Sequence, residues 1–315
     1  MHPTSTYNSR DLIVRSDTKK KKSFSEVLDS KLPFTFPTNS ICIECIEGMQ
    51  NFDFWKITAT HEKIVAYLPN KYTSIYLYSL MGAHFYSRIL FPFFICCNII
   101  IALVGSDPLW EELKKALFST YILLGGLCLS ILLIIIFKLQ ERRYILLPHI
   151  GFKKNFELNR KNGTVTRFEN NKKLFTTLFT DCDCHLRPNM TRNGITMYSL
   201  HLIPISNDCT KDITLSNLFN GDYSNKNICL RLWNTIQWYM DTNRPLPDLP
   251  ILETYRSLDK LTIQHDKKNN RPQNFWEKLS YEEYTEYVAE LKNKQESIAP
   301  LGSPLEIRYT SGKNI

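Results

Sequence analysis

Glycine is scarce in this chain, with 11 residues in 315. That excludes collagen-like and glycine-rich low-complexity classes. No phosphate-cradling P-loop, dinucleotide fingerprint or GxSxG nucleophile elbow occurs. His61-Glu62 opens like a zinc-protease motif, but Val65 stands where the second histidine is required. The first 30 residues lack the apolar core of a secretory signal. The nine cysteines are odd in number, which argues against a disulfide framework. The expectation is a protein that is not an enzyme and carries no cofactor.

What the chain does have is one strongly apolar region. Mean hydropathy over the whole chain is only −0.25. Yet Leu117 to Phe137 is 21 residues without a charge, 14 of them Leu, Ile or Phe. As a helix it spans about 31 Å, the thickness of a bilayer's hydrocarbon core. Its apolar side chains contribute roughly −4 to −8 kcal/mol of insertion free energy. A second stretch, Ile89 to Val104, is interrupted by Pro92 and Asn98. Extended back to Phe85, it gains Tyr86 and Arg88 as head-group anchors. Asn98 is expected to face the second helix, where Gly125 and Gly126 allow close approach.

The expected hairpin covers 85–137. Its short connection, 105–116, holds Trp110 as an interface residue and carries two lysines against three acids. Lys138, Arg142 and Arg143 follow the second span. The positive-inside rule therefore predicts a multi-pass inner-membrane protein with both termini cytoplasmic. None of the cysteines falls in the 105–116 loop, in keeping with a reducing location for the rest.

The flanking parts are polar. Residues 1–38 read as a disordered basic tail, and Lys19 to Lys22 form its densest charge run. Residues 39–84 read as a cytoplasmic β segment, with strands at 41–46 and 52–57. Across 138–241 the alternation predicts an antiparallel β-rich domain. Asn162-Gly163 and Asn193-Gly194 are tight-turn signals. Cys182, Cys184 and Leu186 alternate with Asp183, His185 and Arg187.

The period then changes. Cys229, Leu232, Trp233, Ile236 and Met240 recur at helical spacing, with Asp222 or Ser224 as cap. Strands closed by one amphipathic helix give an α+β membrane protein of pleckstrin-homology-like plan, by analogy of architecture. Residues 242–315 read as a Pro-containing linker, a helix opened by a Ser280/Glu283 capping box, and a loose tail.

Other chemistry is sparse. Cys42 and Cys45 form a CxxC that Cys182 and Cys184 can complete as a zinc site only by an uncommon spacing. Two buried thiol pairs are the plainer reading. Asp181, Asp183, His185 and His201 cluster along strands, where a polar outer face accounts for them. The net charge of +8 is too diffuse for nucleic acid and suits an anionic surface such as a lipid bilayer.

The segments Asn39-Ser-Ile-Cys-Ile-Glu, Phe156-Glu-Leu-Asn-Arg-Lys-Asn-Gly-Thr-Val, Arg244-Pro-Leu-Pro-Asp-Leu-Pro, Glu253-Thr-Tyr-Arg and Arg271-Pro-Gln-Asn-Phe-Trp carry a resemblance. Together with the two-span hairpin they resemble an uncharacterised family of bacterial inner-membrane proteins encoded near type VI secretion effectors and polymorphic toxins. The resemblance covers about 39 to 290. It implies a protein partner, either a toxin that this chain neutralises or an effector that it loads. It carries no catalytic residues. A scaffold that binds anionic lipid is a further alternative.

Overall fold

A computed structural model describes residues 6–9, 13–16, 30–39, 41–42, 56–104, 124–136, 151–205, 212–215 and 224–310. The chain divides into two compact units, one of Met1–Leu68 with Lys153–Ile315 and one of Pro69–Phe152.

The first unit is built on two antiparallel sheets. The strands are β1 (Ile13–Ser16), β2 (Ser30–Leu32), β3 (Lys56–Ala59), β4 (Lys63–Pro69), β5 (Phe152–Asn159), β6 (Thr164–Glu169), β7 (Lys172–Leu178), β8 (Cys182–Met190), β9 (Thr196–Pro204), β10 (Ile213–Thr214) and β11 (Ile307–Thr310). One sheet has the order β3-β4-β5-β6-β7 and the other β10-β9-β8-β2, while β1 and β11 pair separately in parallel. The turn glycines sit where the sequence asks for them, Gly163 at φ 62° and Gly194 at φ 77°. A third turn uses Asn170 and Asn171 at φ 51° and 65°, the pair of positive dihedrals a two-residue hairpin needs.

Alternation decides the core. Cys182, Cys184 and Leu186 of β8 face inward with Leu200 and Leu202 of β9. The long helix Lys226–Met240 covers them with Cys229, Leu232, Trp233, Ile236 and Met240. Its cap is Asn225, whose side chain accepts from Asn227 N–H at 2.9 Å, rather than Asp222 or Ser224.

Both ends of the chain depart from expectation. Parts of the 1–38 region are core, not tail: Tyr7 and Phe34 are 1% and 2% exposed. Their rings meet Phe179 at centroid distances of 5.2 and 5.3 Å, and Phe34 meets Trp233 at 5.3 Å. The 242–250 stretch is anchored rather than free, because Leu246 and Leu249 are buried. The tail also has partners. Leu305 N–H donates to Phe34 C=O at 2.8 Å, and β11 pairs with β1. All these contacts join residues far apart in sequence, so local pattern does not reveal them.

The second unit holds the apolar helices. We number helices from the chain's start: α1 (Lys71–Phe85), a π-helical turn (Tyr86–Leu90), α2 (Phe91–Val104) and α3 (Leu124–Ile136). The first is capped by Asn70, which accepts from Thr73 N–H at 2.8 Å, and Thr73 Oγ1 bonds the Gly151 backbone. Helix therefore begins at Lys71, inside the 39–84 stretch expected as a β segment; among the described residues of that stretch β3 and β4 are sheet, and most of the expected strands at 41–46 and 52–57 lies outside the described residues. Pro92 accordingly lies deep in continuous helix, well past its beginning at Lys71. Its ring opposes the carbonyl of Arg88 and removes a donor. The wider π turn, in which Phe91 N–H reaches Tyr86 C=O, accommodates it.

Among the described residues one helix, Lys71–Cys97, is long and apolar enough to cross a membrane, and little of it is buried. That exposure is unlike a soluble core helix. Of the second expected span, 117–137, the helix Leu124–Ile136 is described. Gly126 lies against Tyr86, and a Cβ there would stand 2.7 Å from the phenol oxygen, whereas one at Gly125 meets nothing within 4 Å.

Candidate binding surfaces

The remaining helices are α4 (Lys226–Met240), α5 (Glu253–Arg256), α6 (Lys260–Lys268), α7 (Phe275–Lys278) and α8 (Tyr281–Glu296). Ser280 and Glu283 form the expected capping box of α8. Three of the quoted sequence motifs converge among these helices. Arg271 forks onto two carboxylates, reaching Asp248 at 2.7 Å and Glu253 at 2.6 Å. Trp276 Nε1 donates to Asp248 at 2.8 Å, and Phe275 N–H donates to Glu253 at 2.7 Å. Arg256 makes the matching fork onto Asp266 at 2.9 and 2.6 Å.

Burial opposes the Arg271 charge, yet its bonds to Glu253 and Asp248 prevail and hold the guanidinium charged beyond its usual range. Burial likewise works to raise Asp266, but Arg256 outweighs it and keeps that carboxyl below its usual range. A cavity of about 610 Å³ adjoins this network, lined by Ser257, Ile263, Lys267, Gln273 and Asn274 among others. The network rigidifies the wall of that cavity, since every member has a charged partner in place.

The second surface lies on the five-stranded sheet. Thr164, Thr166, Thr176, Thr177, Asn159 and Glu157 line an open groove of about 730 Å³. Thr166 and Thr176 share a hydroxyl hydrogen bond of 2.8 Å across β6 and β7. The groove runs to the edge strand β7, whose Leu174 is exposed and whose Lys172 and Lys173 guard the edge. Hydroxyls and amides on a strand face suit a polar protein segment better than an apolar ligand.

The third cluster sits on the outer face of β8, β9 and β10. His201 Nδ1 is 2.9 Å from Asp212 and its Nε2 is 2.8 Å from Ser199 Oγ. Arg187 also bonds Asp212. The His201 hydrogen bond first, then the His201 and Arg187 charges, outweigh burial and pull the Asp212 carboxyl down to about 2. The order Ser-His-Asp matches a hydrolase relay. Here, however, the carboxylate is shared with a guanidinium, Asn189 Nδ2 donates to Ser199 at 2.9 Å, and Ser199 lines neither cavity above. The cluster ties three strands together.

Other expected positions fall apart from one another. Asp183 pairs with Lys31 at 2.8 Å, Asp181 borders the threonine groove, and His185 lies opposite His201 in register. Glu62 sits in a turn, where a hydrogen bond and charge from Lys161 lower its carboxyl, so His61-Glu62 lies on no helix. Cys42, Cys182 and Cys184 are buried, and burial pushes the Cys184 thiol well up. No group of three metal-ligating residues occurs among the described residues.

Arg88 lies in the π turn and is exposed. Cys45, Trp110, Lys138, Arg142, Arg143, Lys19 to Lys22 and the side chain of Asn98 lie outside the described residues. The threonine groove has no motif in the sequence; its one advance signal is the run of threonines at alternate positions of β6.

No protein-family model matches the chain, and no curated protein or solved structure matches it.

Proposed function

We propose that the chain is a non-enzymatic inner-membrane binding protein whose spans anchor a folded cytoplasmic domain, and that its partner is a toxin or effector of a type VI secretion-like locus. The two-span hairpin with both termini inside belongs to this reading. So does the pleckstrin-homology-like plan of sheets closed by α4. The supporting observation is the pairing of an exposed apolar helix in one unit with an open, polar, hydroxyl-lined groove in the other. Such a groove offers hydrogen bonds to a protein segment.

Immunity is the role we favour. The connection between the spans is too short to meet an antagonist outside the inner membrane, so the toxin is met in the bilayer or at its cytoplasmic face. Co-expression decides this: the chain should restore growth of cells making the toxin encoded beside it. Failure with every neighbouring effector overturns it.

The quoted motifs also favour a second reading, an adaptor that holds an effector at the membrane before export. Deleting an adaptor abolishes secretion of its effector, whereas deleting an immunity protein leaves secretion intact.

A further inference from the structure

The helix α6 reads KLTIQHDKK, and its two sides differ sharply. Thr262 is fully buried and accepts no solvent; its hydroxyl serves Asp259 and the Leu246 N–H. Asp266, one turn on, points the same way into the Arg256 fork. Both acids of the helix and its cap are therefore turned inward or engaged with backbone, Asp259 by capping Thr262 N–H at 2.9 Å.

The outward side carries Lys260, Lys267 and Lys268, all exposed. Beside them stand three exposed apolar side chains, Leu258 at 58%, Leu261 at 37% and Ile263 at 45%. At 100° per residue, Leu261 and Ile263 flank the lysines rather than oppose them. A face that mixes lysines with aliphatic side chains, its nearest carboxylate Asp266 being held by Arg256, has the composition of helices that lie on anionic bilayers. The ammonium groups meet phosphates and the short aliphatic side chains enter the acyl boundary.

We infer that α6 is a peripheral docking face for an anionic phospholipid surface. The inference rests on the membrane anchoring proposed above, which keeps the domain within reach of head groups. Ile263 and Lys267 stand where this face meets the rim of the neighbouring 610 Å³ cavity, whose Asp266 and Glu253 are already engaged by Arg256 and Arg271. Contact is with the lysine face itself, as the charge complementarity requires.

The test uses the full chain in proteoliposomes, either phosphatidylcholine alone or phosphatidylcholine with one third phosphatidylglycerol. A water-soluble succinimidyl ester acylates accessible lysines, and mass spectrometry reads each site. Lys260, Lys267 and Lys268 should label about fivefold more slowly on the anionic vesicles, the factor that corresponds to about 1 kcal/mol per lysine. Lys226 at the start of α4 serves as the internal reference. The difference should vanish at high salt. It should shrink in Leu261→Ser/Ile263→Ser, which keeps every lysine.

Equal labelling on the two vesicles overturns the inference. So does protection that appears only when an acidic soluble protein is added. Release of the chain by alkaline carbonate overturns the anchoring reading instead, so the two failures are separable.

Discussion

Asn234 reads the main chain of Thr38 with both ends of its amide: Oδ1 accepts from the Thr38 N–H at 2.9 Å, and Nδ2 donates to the Thr38 C=O at 3.1 Å. Gln237, one turn along α4, accepts from Thr35 N–H at 2.7 Å, and Thr235 accepts from Cys42 N–H at 2.8 Å. Trp233 Nε1 donates to Pro33 C=O at 2.9 Å. The helix thus holds an extended segment by its backbone. Each of Asn234, Thr235 and Gln237 is buried, so each bond is made in a dry setting.

Asn234→Leu or Gln237→Leu should each cost about 1–3 kcal/mol, because a buried backbone amide loses its partner. Denaturant titration of the detergent-solubilised protein, followed by tryptophan fluorescence, measures this. A change below the error of the titration would show that the segment is not held as described.

Arg271→Ala should be the more severe change. It leaves Asp248 and Glu253 without their shared cation, and Glu253 is 4% exposed. The expected loss is about 3–5 kcal/mol. Arg271→Lys should recover part of it, since an ammonium restores the charge but not the fork. Thermal denaturation of the three proteins side by side gives the order.

The adjacent glycines make a matched pair. Gly126→Ala drives a methyl into the Tyr86 phenol, whereas Gly125→Ala meets open space. The first should destabilise packing of α3 by about 1–3 kcal/mol and the second should be neutral. Gly126→Ala with Tyr86→Phe should recover stability, since the nearest atom is the phenol oxygen. Resistance of the detergent-solubilised protein to limited proteolysis reads all three.

Asp212 predicts an acid-sensitive step. Its carboxyl titrates at about 2 in the folded chain, below its ordinary value of 3.8. A depressed carboxylate stabilises the fold above its unfolded value, and that contribution fades as pH falls from about 4 to about 2. With the side chain one third exposed, the contribution is no more than about 1–2 kcal/mol. Asp212→Asn should lower the melting temperature at pH 6 and flatten its fall between pH 4 and 2.

Much of the sheet was legible because its signals are local. Asn162-Gly163 and Asn193-Gly194 mark turns, and Cys182 to Arg187 alternates in two directions on a strand. Ser280 and Glu283 mark a helix start three residues apart. The Asn170-Asn171 turn escaped notice because neither residue demands positive φ as glycine does. Lys71 to His84 was missed as helix because tyrosines, serines and a threonine blur its pattern, and tertiary context settles it.

The candidate surfaces were less legible for a different reason. The letters of Asp248, Glu253, Arg256 and Arg271 stand out as motifs, but no spacing rule says that Arg271 bridges the first two. His201 was visible as one of four titratable residues on strands, while Asp212, its partner, lies on the next strand connection and belongs to no shared pattern. Tyr7 and Phe34 gave no sign of burial, since neither belongs to a periodic apolar pattern and their partners Phe179 and Trp233 lie well over a hundred residues away.

The sheet unit draws strands from both sides of the apolar helices, and residues 30–42 wait for α4 and for residues 303–305. A ribosome adding roughly 5–20 residues per second needs on the order of ten to fifty seconds to supply them. Throughout that interval the Phe34 side chain has no cavity to enter, and the hydrophobic helices emerge before the domain can seal. Biogenesis must therefore shelter an unfinished amino-terminal segment, which makes this chain a natural client for chaperones that bind exposed apolar segments of nascent chains.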